Sequence, residues 1–141
     1  SEYYNNDKKL ILPLYTNTTK KLIAFGLIPL TVLLLLSPTI VSFVFGNEWA
    51  DAGIMMQILS IGAFFKFITS PIGTSFTIIN KQNIAFYLTI VSLALRFLVI
   101  FYFLDTVSSL LWAMTLSAST YYVVYHIFVY RLLMKISKDN K

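Results

Sequence analysis

An apolar run from about Ile54 to Ile79 is the feature that most constrains this chain, because it carries a lysine, Lys66, near its centre. A run of roughly 20 apolar residues is long enough to cross a bilayer as a helix. A charge in the middle of such a helix costs on the order of 3 kcal/mol or more. The run therefore predicts a membrane helix in which another group compensates for Lys66.

The composition of the 141-residue chain also indicates a membrane protein. Hydrophobic residues make up 57% of it and charged residues only 12%, whereas soluble domains carry about 25% charged residues. Cysteine is absent, which excludes disulfides, thiolate metal sites and cysteine nucleophiles. The net charge of +5 would suggest nucleic acid as a partner of a soluble protein. Here the charges lie at predicted helix ends, where they set orientation, so no nucleic-acid partner is expected.

Four apolar segments predict an all-α membrane protein with four transmembrane helices. The predicted spans are residues 22–45, 52–79, 84–104 and 110–134. The polar stretch 1–21 is predicted to be a cytoplasmic loop with a short interfacial segment, and 135–141 a cytoplasmic tail. No internal repeat is evident beyond this succession of spans.

Prolines and one turn give further local predictions. Pro29, Pro38 and Pro71 predict helix kinks, because a proline removes one backbone hydrogen bond. Between the first two spans, Gly46 fits the end of one helix and Asn47 fits the N-cap of the next.

The basic residues outside the spans predict the orientation. They all fall before the first span, between the second and third, and after the fourth: Lys8, Lys9, Lys20, Lys21, Lys81, Arg131, Lys135, Lys138 and Lys141. The turns around Glu48 and Asp105 contain acids and no Lys or Arg. Basic loops remain on the cytoplasmic side of a membrane, so both ends of this chain are predicted to be cytoplasmic.

A stripe of small and hydroxyl residues surrounds Lys66 at helical spacing. Its members are Gly62, Ala63, Thr69, Ser70, Gly73 and Thr77. Such stripes line helix contacts or cavities, whereas bulky apolar side chains face lipid. Lys66 is therefore predicted to face protein or water. Other side chains predicted to line the same cavity are Ser92, Tyr121, Tyr122 and Tyr125; for the three tyrosines an aromatic belt at the membrane interface is the alternative.

Arg96, in the third span, is the second intramembrane cation. By helix geometry Lys66 lies roughly 18 Å from each end of its span, too far for its side chain to reach either interface, whereas Arg96 lies about 12 Å from the outer end. None of the four spans contains Asp or Glu. Either acids elsewhere compensate for the two cations, or Lys66 and Arg96 line a wet cavity that attracts an anionic substrate such as a diphosphate.

The sequence contains no constellation of a soluble enzyme. It has no paired carboxylates, no Ser-His-Asp set on a common framework, no metal-ligand spacing and no phosphate-binding glycine loop. We therefore expect neither an enzyme nor a cofactor or metal site. The single histidine, His126, is expected to be a hydrogen-bonded residue near the inner interface rather than a proton relay.

Five segments together resemble a known family. They are Leu27–Thr31 (LIPLT), Phe45–Gly53 (FGNEWADAG), Gln57–Leu59 (QIL), Thr69–Pro71 (TSP) and Ile79–Gln82 (INKQ). Their pattern is similar to the C-terminal part of polysaccharide (O-antigen type) flippases, in the multidrug/oligosaccharidyl-lipid/polysaccharide exporter superfamily. The resemblance covers essentially the whole chain. Its most specific parts are the turn that includes Trp49 and the segment from Ser70 to Gln82.

The resemblance implies a bundle of about twelve helices in two related halves, of which the four spans here would be the last four. It implies alternating access that moves an undecaprenyl-diphosphate-linked oligosaccharide across the bacterial inner membrane, for surface polysaccharide biosynthesis. Cationic residues in the lumen of such flippases correspond to Lys66 and Arg96. The implied partners are membrane lipid, the lipid-linked glycan, the N-terminal helices of the same transporter and polysaccharide polymerase machinery.

Two alternatives remain at this point. A drug/cation antiporter of the same superfamily would favour an intramembrane Asp or Glu. A complete four-helix membrane subunit or scaffold would have no coding sequence for further helices upstream of Ser1.

Overall fold

The computed structural model describes residues 8–70, 82–102 and 106–138. Over these ranges the chain forms four α-helices and no strand. The helices are α1 (Lys8–Phe45), α2 (Ala50–Thr69), α3 (Gln82–Tyr102) and α4 (Val107–Lys138), with a short 3-10 helix at Asn47–Trp49 between α1 and α2.

Three helical stretches are long and apolar enough to cross a membrane: Ile11–Phe45, Asn47–Thr69 and Gln82–Tyr102. The prediction of an all-α membrane protein is confirmed. The fourth helix, α4, has 32 residues and is long enough to cross, but it is the least apolar of the four. Serine, threonine and tyrosine along its length account for this difference.

Helix α4 continues to Lys138, so residues 135–138 of the predicted tail are helical. The largest differences between the helix bounds and the predicted spans occur at two other places. The sequence placed a loop and a separate interfacial segment before residue 22, but α1 runs without a break from Lys8. Polar side chains do not interrupt it, because Thr16 and Thr19 donate hydrogen bonds to carbonyls one turn back, at Leu12 and Tyr15. At the other place, α2 ends at Thr69. The rest of the predicted second span, with Pro71 and Thr77, lies outside the described residues.

Gly46 ends α1 as the sequence predicted. Its φ of 107° is in the region that glycine tolerates best, and its N–H donates to the carbonyl of Ser42 over 3.0 Å. The prediction that Asn47 caps the next helix is wrong. Asn47 instead begins the 3-10 turn, and the N–H of Trp49 donates back to the carbonyl of Gly46 over 3.1 Å. The chain enters α2 through this turn without a side-chain cap.

The most polar helix, α4, lies against all three of the others. It packs on α1, α2 and α3, while α1 also packs along α2. Buried polar residues at these contacts are small hydroxyl residues: Ser37, Ser60, Thr69, Ser92, Thr115 and Ser119. Large apolar side chains such as Phe43 and Phe101 are exposed on the outside. Small residues inside and bulky apolar residues outside are the arrangement expected of helices that associate in lipid.

The three prolines of α1 lie inside a helix that continues through them. Pro38 has no N–H to donate to the carbonyl of Leu34, one turn back. The side-chain amide of Gln57, on α2, fills this gap, since its Nε2 donates to the Leu34 carbonyl over 2.5 Å. A side chain of the neighbouring helix thus satisfies the backbone group that the proline releases, as a proline in a membrane helix requires.

Replacing Gln57 by leucine should therefore destabilise the α1–α2 pair. The change keeps an apolar side chain of similar size but leaves the Leu34 carbonyl without a donor in an apolar setting. Interhelical hydrogen bonds in membranes are worth about 1 kcal/mol, and we expect a loss of that order. Unfolding of the purified protein by sodium dodecyl sulfate in mixed micelles, followed by circular dichroism, would measure it.

Gln82 supplies the control for this change. It is exposed at the first position of α3, so Gln82→Leu should leave the free energy of unfolding almost unchanged. Equal stability of the Gln57→Leu and Gln82→Leu proteins would contradict the assigned role of Gln57.

Candidate anion-binding cleft

A cleft of about 340 Å³ lies along α4, between α2 and α3. Helix α4 contributes its floor, with a row of side chains spaced by about one turn. The lining residues are Leu59, Gly62, Ala63, Lys66, Arg96, Leu111, Met114, Thr115, Ala118 and Tyr122. The cleft exists because α2 and α3 each pack on α4, and because Gly62 has no side chain to fill the space beside Thr115.

Both predicted intramembrane cations line this cleft. Lys66 reaches it from α2 and Arg96 from α3, so two helices that are separate in sequence bring the two charges to one site. Lys66 lies in the last turn of α2, roughly 24 Å from Ala50 at 1.5 Å per residue. Its position at the C-terminal end of the helix is the one where the helix dipole favours a cation.

The registers of the helices place the two cations at different levels along α4. Gly62 lies opposite Thr115, so Lys66, one turn further along α2, is level with Ser119. The hydroxyls of Thr89 and Tyr121 are 3.3 Å apart. Arg96, two turns beyond Thr89 on the antiparallel α3, is therefore level with the residues near Met114. By the rise of a helix, the two backbone positions are about 7 Å apart along α4, within the combined reach of the two side chains.

Two buried polar groups at the cleft have no hydrogen-bond partner within the described residues. They are the Nε of Arg96 and the hydroxyl oxygen of Thr115. The acidic residues in that part of the chain are Glu48 and Asp51, at the other end of α2. Among the described residues, the lining of the cleft carries two positive charges, from Lys66 and Arg96, and no carboxylate. Such a site favours an anion.

The other predicted lining residues divide into three groups. Tyr122 lines the cleft. Thr69 and Ser92 are buried and Ser70 is exposed, and the hydroxyl of Thr69 donates to the carbonyl of Phe65 over 2.8 Å. None of these three is among the residues that line the cleft. Thr77 lies outside the described residues.

Tyr121 and Tyr125 lie beside the cleft rather than on it. The rings of Tyr121 and Tyr122 are 5.3 Å apart between centroids, and those of Tyr121 and Tyr125 are 6.0 Å apart. Tyr125 is buried in the cluster that contains Tyr15, Val129 and Leu133. The three tyrosines form one aromatic group, of which Tyr122 alone is in the cleft lining.

Thr115 is the polar lining residue that the sequence did not single out. It lies one turn after Leu111 and two turns before Tyr122, on the stripe of α4 that faces the cleft. The sequence carried one signal for Thr115, because small residues such as Ala118 lie near it at helical spacing. This signal is weak, since a hydroxyl on a membrane helix more often bonds its own backbone than it lines a site.

His126 is hydrogen-bonded, as expected. Its Nδ1 is 2.7 Å from the hydroxyl of Tyr15 on α1. The two rings meet edge to face, with centroids 5.9 Å apart. His126 thereby ties α4 to the N-terminal part of α1, away from Lys66 and Arg96. Within the described ranges, His, Asp and Glu form no group of three or more that could hold a metal ion.

No protein-family model, curated protein or solved structure matches this chain. The chemistry of the cleft is consequently the main basis for a functional assignment.

Proposed function

We propose that the cleft binds the diphosphate of a lipid-linked oligosaccharide, and that the chain is the C-terminal portion of a flippase that moves this lipid across the bacterial inner membrane. One observation carries the proposal. Lys66 and Arg96, from different helices, line a single cleft in which the described residues include no carboxylate. The resemblance of Phe45–Gly53 and the other segments to polysaccharide flippases supports the choice of substrate.

A diphosphate matches the chemistry of this cleft. It carries charge on two neighbouring phosphoryl groups, and Lys66 and Arg96 offer two cations at different levels along α4. The guanidinium of Arg96 is a planar fork suited to phosphate oxygens, while Lys66 acts as a mobile point charge. Thr115 offers a hydroxyl between them. Attraction between these groups and a diphosphate is stronger at membrane depth than in water.

We expect Tyr122 to contact the sugar of the substrate rather than its diphosphate. It lies at the end of the cleft lining on α4, beside Tyr121. An aromatic ring presents an apolar face with a polar tip, so it can pack on a sugar ring that follows the diphosphate.

Transport requires that the cleft faces each side of the membrane in turn. We propose that movement of this helix group against further helices of the transporter exposes the bound headgroup to the outer side, with both ends of this chain in the cytoplasm. The described cleft lining contains no carboxylate, whereas a drug/cation antiporter would favour an intramembrane Asp or Glu. A four-helix scaffold is distinguished by the gene, since it requires no coding sequence for further helices upstream of Ser1.

Export of lipid-linked glycan by the full-length protein tests the role of Lys66. We expect Lys66→Ala to reduce flux strongly at a normal protein level, because the diphosphate loses one of its two cations. Lys66→Arg should keep part of the flux if positive charge is the main requirement. Lys135→Ala, which removes an exposed lysine outside the cleft, is the matched control. Normal export by Lys66→Ala would exclude diphosphate capture by this residue.

A further inference from the structure

A second groove, of about 530 Å³, lies between the N-terminal part of α1 and the C-terminal half of α4. Residues between Tyr15 and Ile23 form one wall, residues between Val123 and Met134 form the other, and Phe65 and Ile68 of α2 lie between them. It shares no lining residue with the cleft around Lys66 and Arg96. We call it the α1–α4 groove.

The lining of the α1–α4 groove is amphipathic. Its apolar part includes Ile23, Phe65, Ile68 and Ile127, and its cations are Lys20 and Arg131. No acidic residue is among its lining residues. A surface with this composition does not match a sugar or a soluble anion, because most of it is apolar. It matches a molecule with a hydrocarbon chain and a negative headgroup.

Helix geometry brings the two cations toward one level. The hydroxyl of Tyr15 contacts the ring of His126, which sets these two residues level with each other. Lys20 lies more than one turn beyond Tyr15 on α1, and Arg131 lies more than one turn beyond His126 on α4. Because the two helices run in opposite directions, the two backbone positions are displaced to opposite sides of the Tyr15–His126 level. Side chains tilt toward the N-terminus of their own helix. Lys20 and Arg131 therefore lean toward each other, to the level of Tyr15 and His126.

One buried polar atom at that level has no hydrogen-bond partner among the described residues. The Nδ1 of His126 is engaged by Tyr15, whose hydroxyl is also 3.3 Å from the carbonyl of His126. The Nε2 of His126 is buried and has no partner in the part of the chain that the structure describes. Whichever ring nitrogen carries the proton, one polar atom on this wall lacks a partner. A headgroup oxygen or hydroxyl seated there would provide one.

We propose that the α1–α4 groove binds one glycerophospholipid with an anionic headgroup. Its phosphate lies at the level of Tyr15 and His126, between Lys20 and Arg131, and an acyl chain lies along Ile23, Ile68 and Val123. The headgroup is on the side of the membrane where basic residues are concentrated. Anionic lipids are attracted by lysine and arginine at such positions. The proposal does not depend on the substrate assigned to the other cleft.

Native mass spectrometry of the purified protein in detergent tests this proposal. The probes are phosphatidylglycerol and phosphatidylcholine with identical acyl chains. Two basic residues at a membrane surface should favour the anionic lipid by about tenfold or more at equal concentration. We expect the double variant Lys20→Gln/Arg131→Gln to lose this preference. Both residues are exposed, so the fold should be retained.

Two further double variants decide between a site and a general electrostatic effect. Lys21→Gln/Lys135→Gln removes the same charge from exposed positions outside the groove and should keep the preference. Lys66→Gln/Arg96→Gln should keep it as well. Equal binding of the two lipids by the unmodified protein would overturn the proposal. So would loss of the preference in either of these two variants, because the anion would then be held diffusely or in the other cleft.

Filling the groove gives an independent result. Val123→Trp places a larger side chain in its apolar part, at an exposed position. We expect it to lower retention of phosphatidylglycerol severalfold while Lys20 and Arg131 are unchanged. Undiminished retention would show that the lipid lies elsewhere.

Discussion

Replacing Gly53 by alanine is expected to destabilise the protein by about 2 kcal/mol, within the range known for overpacked interiors. Gly53, on α2, is buried against α1. A Cβ at this position would overlap the Cα of Pro38 and would lie 2.8 Å from the nitrogen of Pro38 and 2.9 Å from the carbonyl oxygen of Ser37. All three are backbone atoms, so no change of rotamer can relieve the overlap. The two helices must move apart.

This separation would disturb more than one contact. Gln57, one turn beyond Gly53, donates to the Leu34 carbonyl that Pro38 leaves free. Ser37, which is fully buried, lies in the same contact region. We therefore expect Gly53→Ala to lower the midpoint of unfolding in mixed micelles and to weaken the hydrogen bond of Gln57 at the same time.

Gly62→Ala is the matched control, because it makes the same chemical change on the same helix. A Cβ at Gly62 would lie 3.6 Å from Cγ2 of Thr115, an ordinary van der Waals distance. Alanine favours a helix over glycine by roughly 1 kcal/mol, so this variant should be as stable as the unmodified protein or slightly more so. If the two alanine variants have equal stability, the close contact between Gly53 and Pro38 is not a feature of the protein in solution.

The sequence was sufficient to predict the membrane class and to single out two cations that line one cleft. Long apolar runs determined the helices, because a backbone in lipid must satisfy its own hydrogen bonds. The small and hydroxyl residues around Lys66 predicted that this side of α2 faces protein or water. Gly62 does lie beside Thr115 of α4. Lys66, Ala63 and Ser70 are exposed. Lys66 and Arg96 could be singled out because charges are rare at membrane depth.

Other features required the packing of the helices. The start of α1 at Lys8 could not be predicted, since Thr16 and Thr19 look like interruptions until their hydroxyls are seen to bond the helix itself. Asn47 had the chemistry of an N-cap, but the conformation of Gly46 leads into a 3-10 turn instead. The pairing of Gln57 with the carbonyl released by Pro38 joins two helices, and no local pattern indicates such a contact.

Site membership was the least predictable property. The sequence does not distinguish the neighbouring tyrosines of α4 from one another. In the structure, however, Tyr122 lines the cleft and Tyr125 lies in the core. Their assignment depends on the rotation of α4, which is fixed by contacts with three helices at once. The α1–α4 groove likewise arises from elements that are far apart in the sequence.

The central claim is that Lys66 and Arg96 form one diphosphate-binding cleft. Equilibrium binding of farnesyl diphosphate to the purified protein in detergent tests it most directly, with farnesyl monophosphate and farnesol as comparison ligands. Each hydrogen bond to a charged group contributes about 1.5–3 kcal/mol. Removal of both cations should therefore weaken binding on the order of 100-fold or more.

The variants are Lys66→Gln/Arg96→Gln and, as a control with the same change of charge at exposed positions outside both the cleft and the α1–α4 groove, Lys21→Gln/Lys135→Gln. We predict that the first loses affinity for the diphosphate on the order of 100-fold while its weak affinity for farnesol stays the same, and that the control binds as the unmodified protein does. Farnesyl diphosphate affinity that is unchanged in the Lys66→Gln/Arg96→Gln protein would contradict the account.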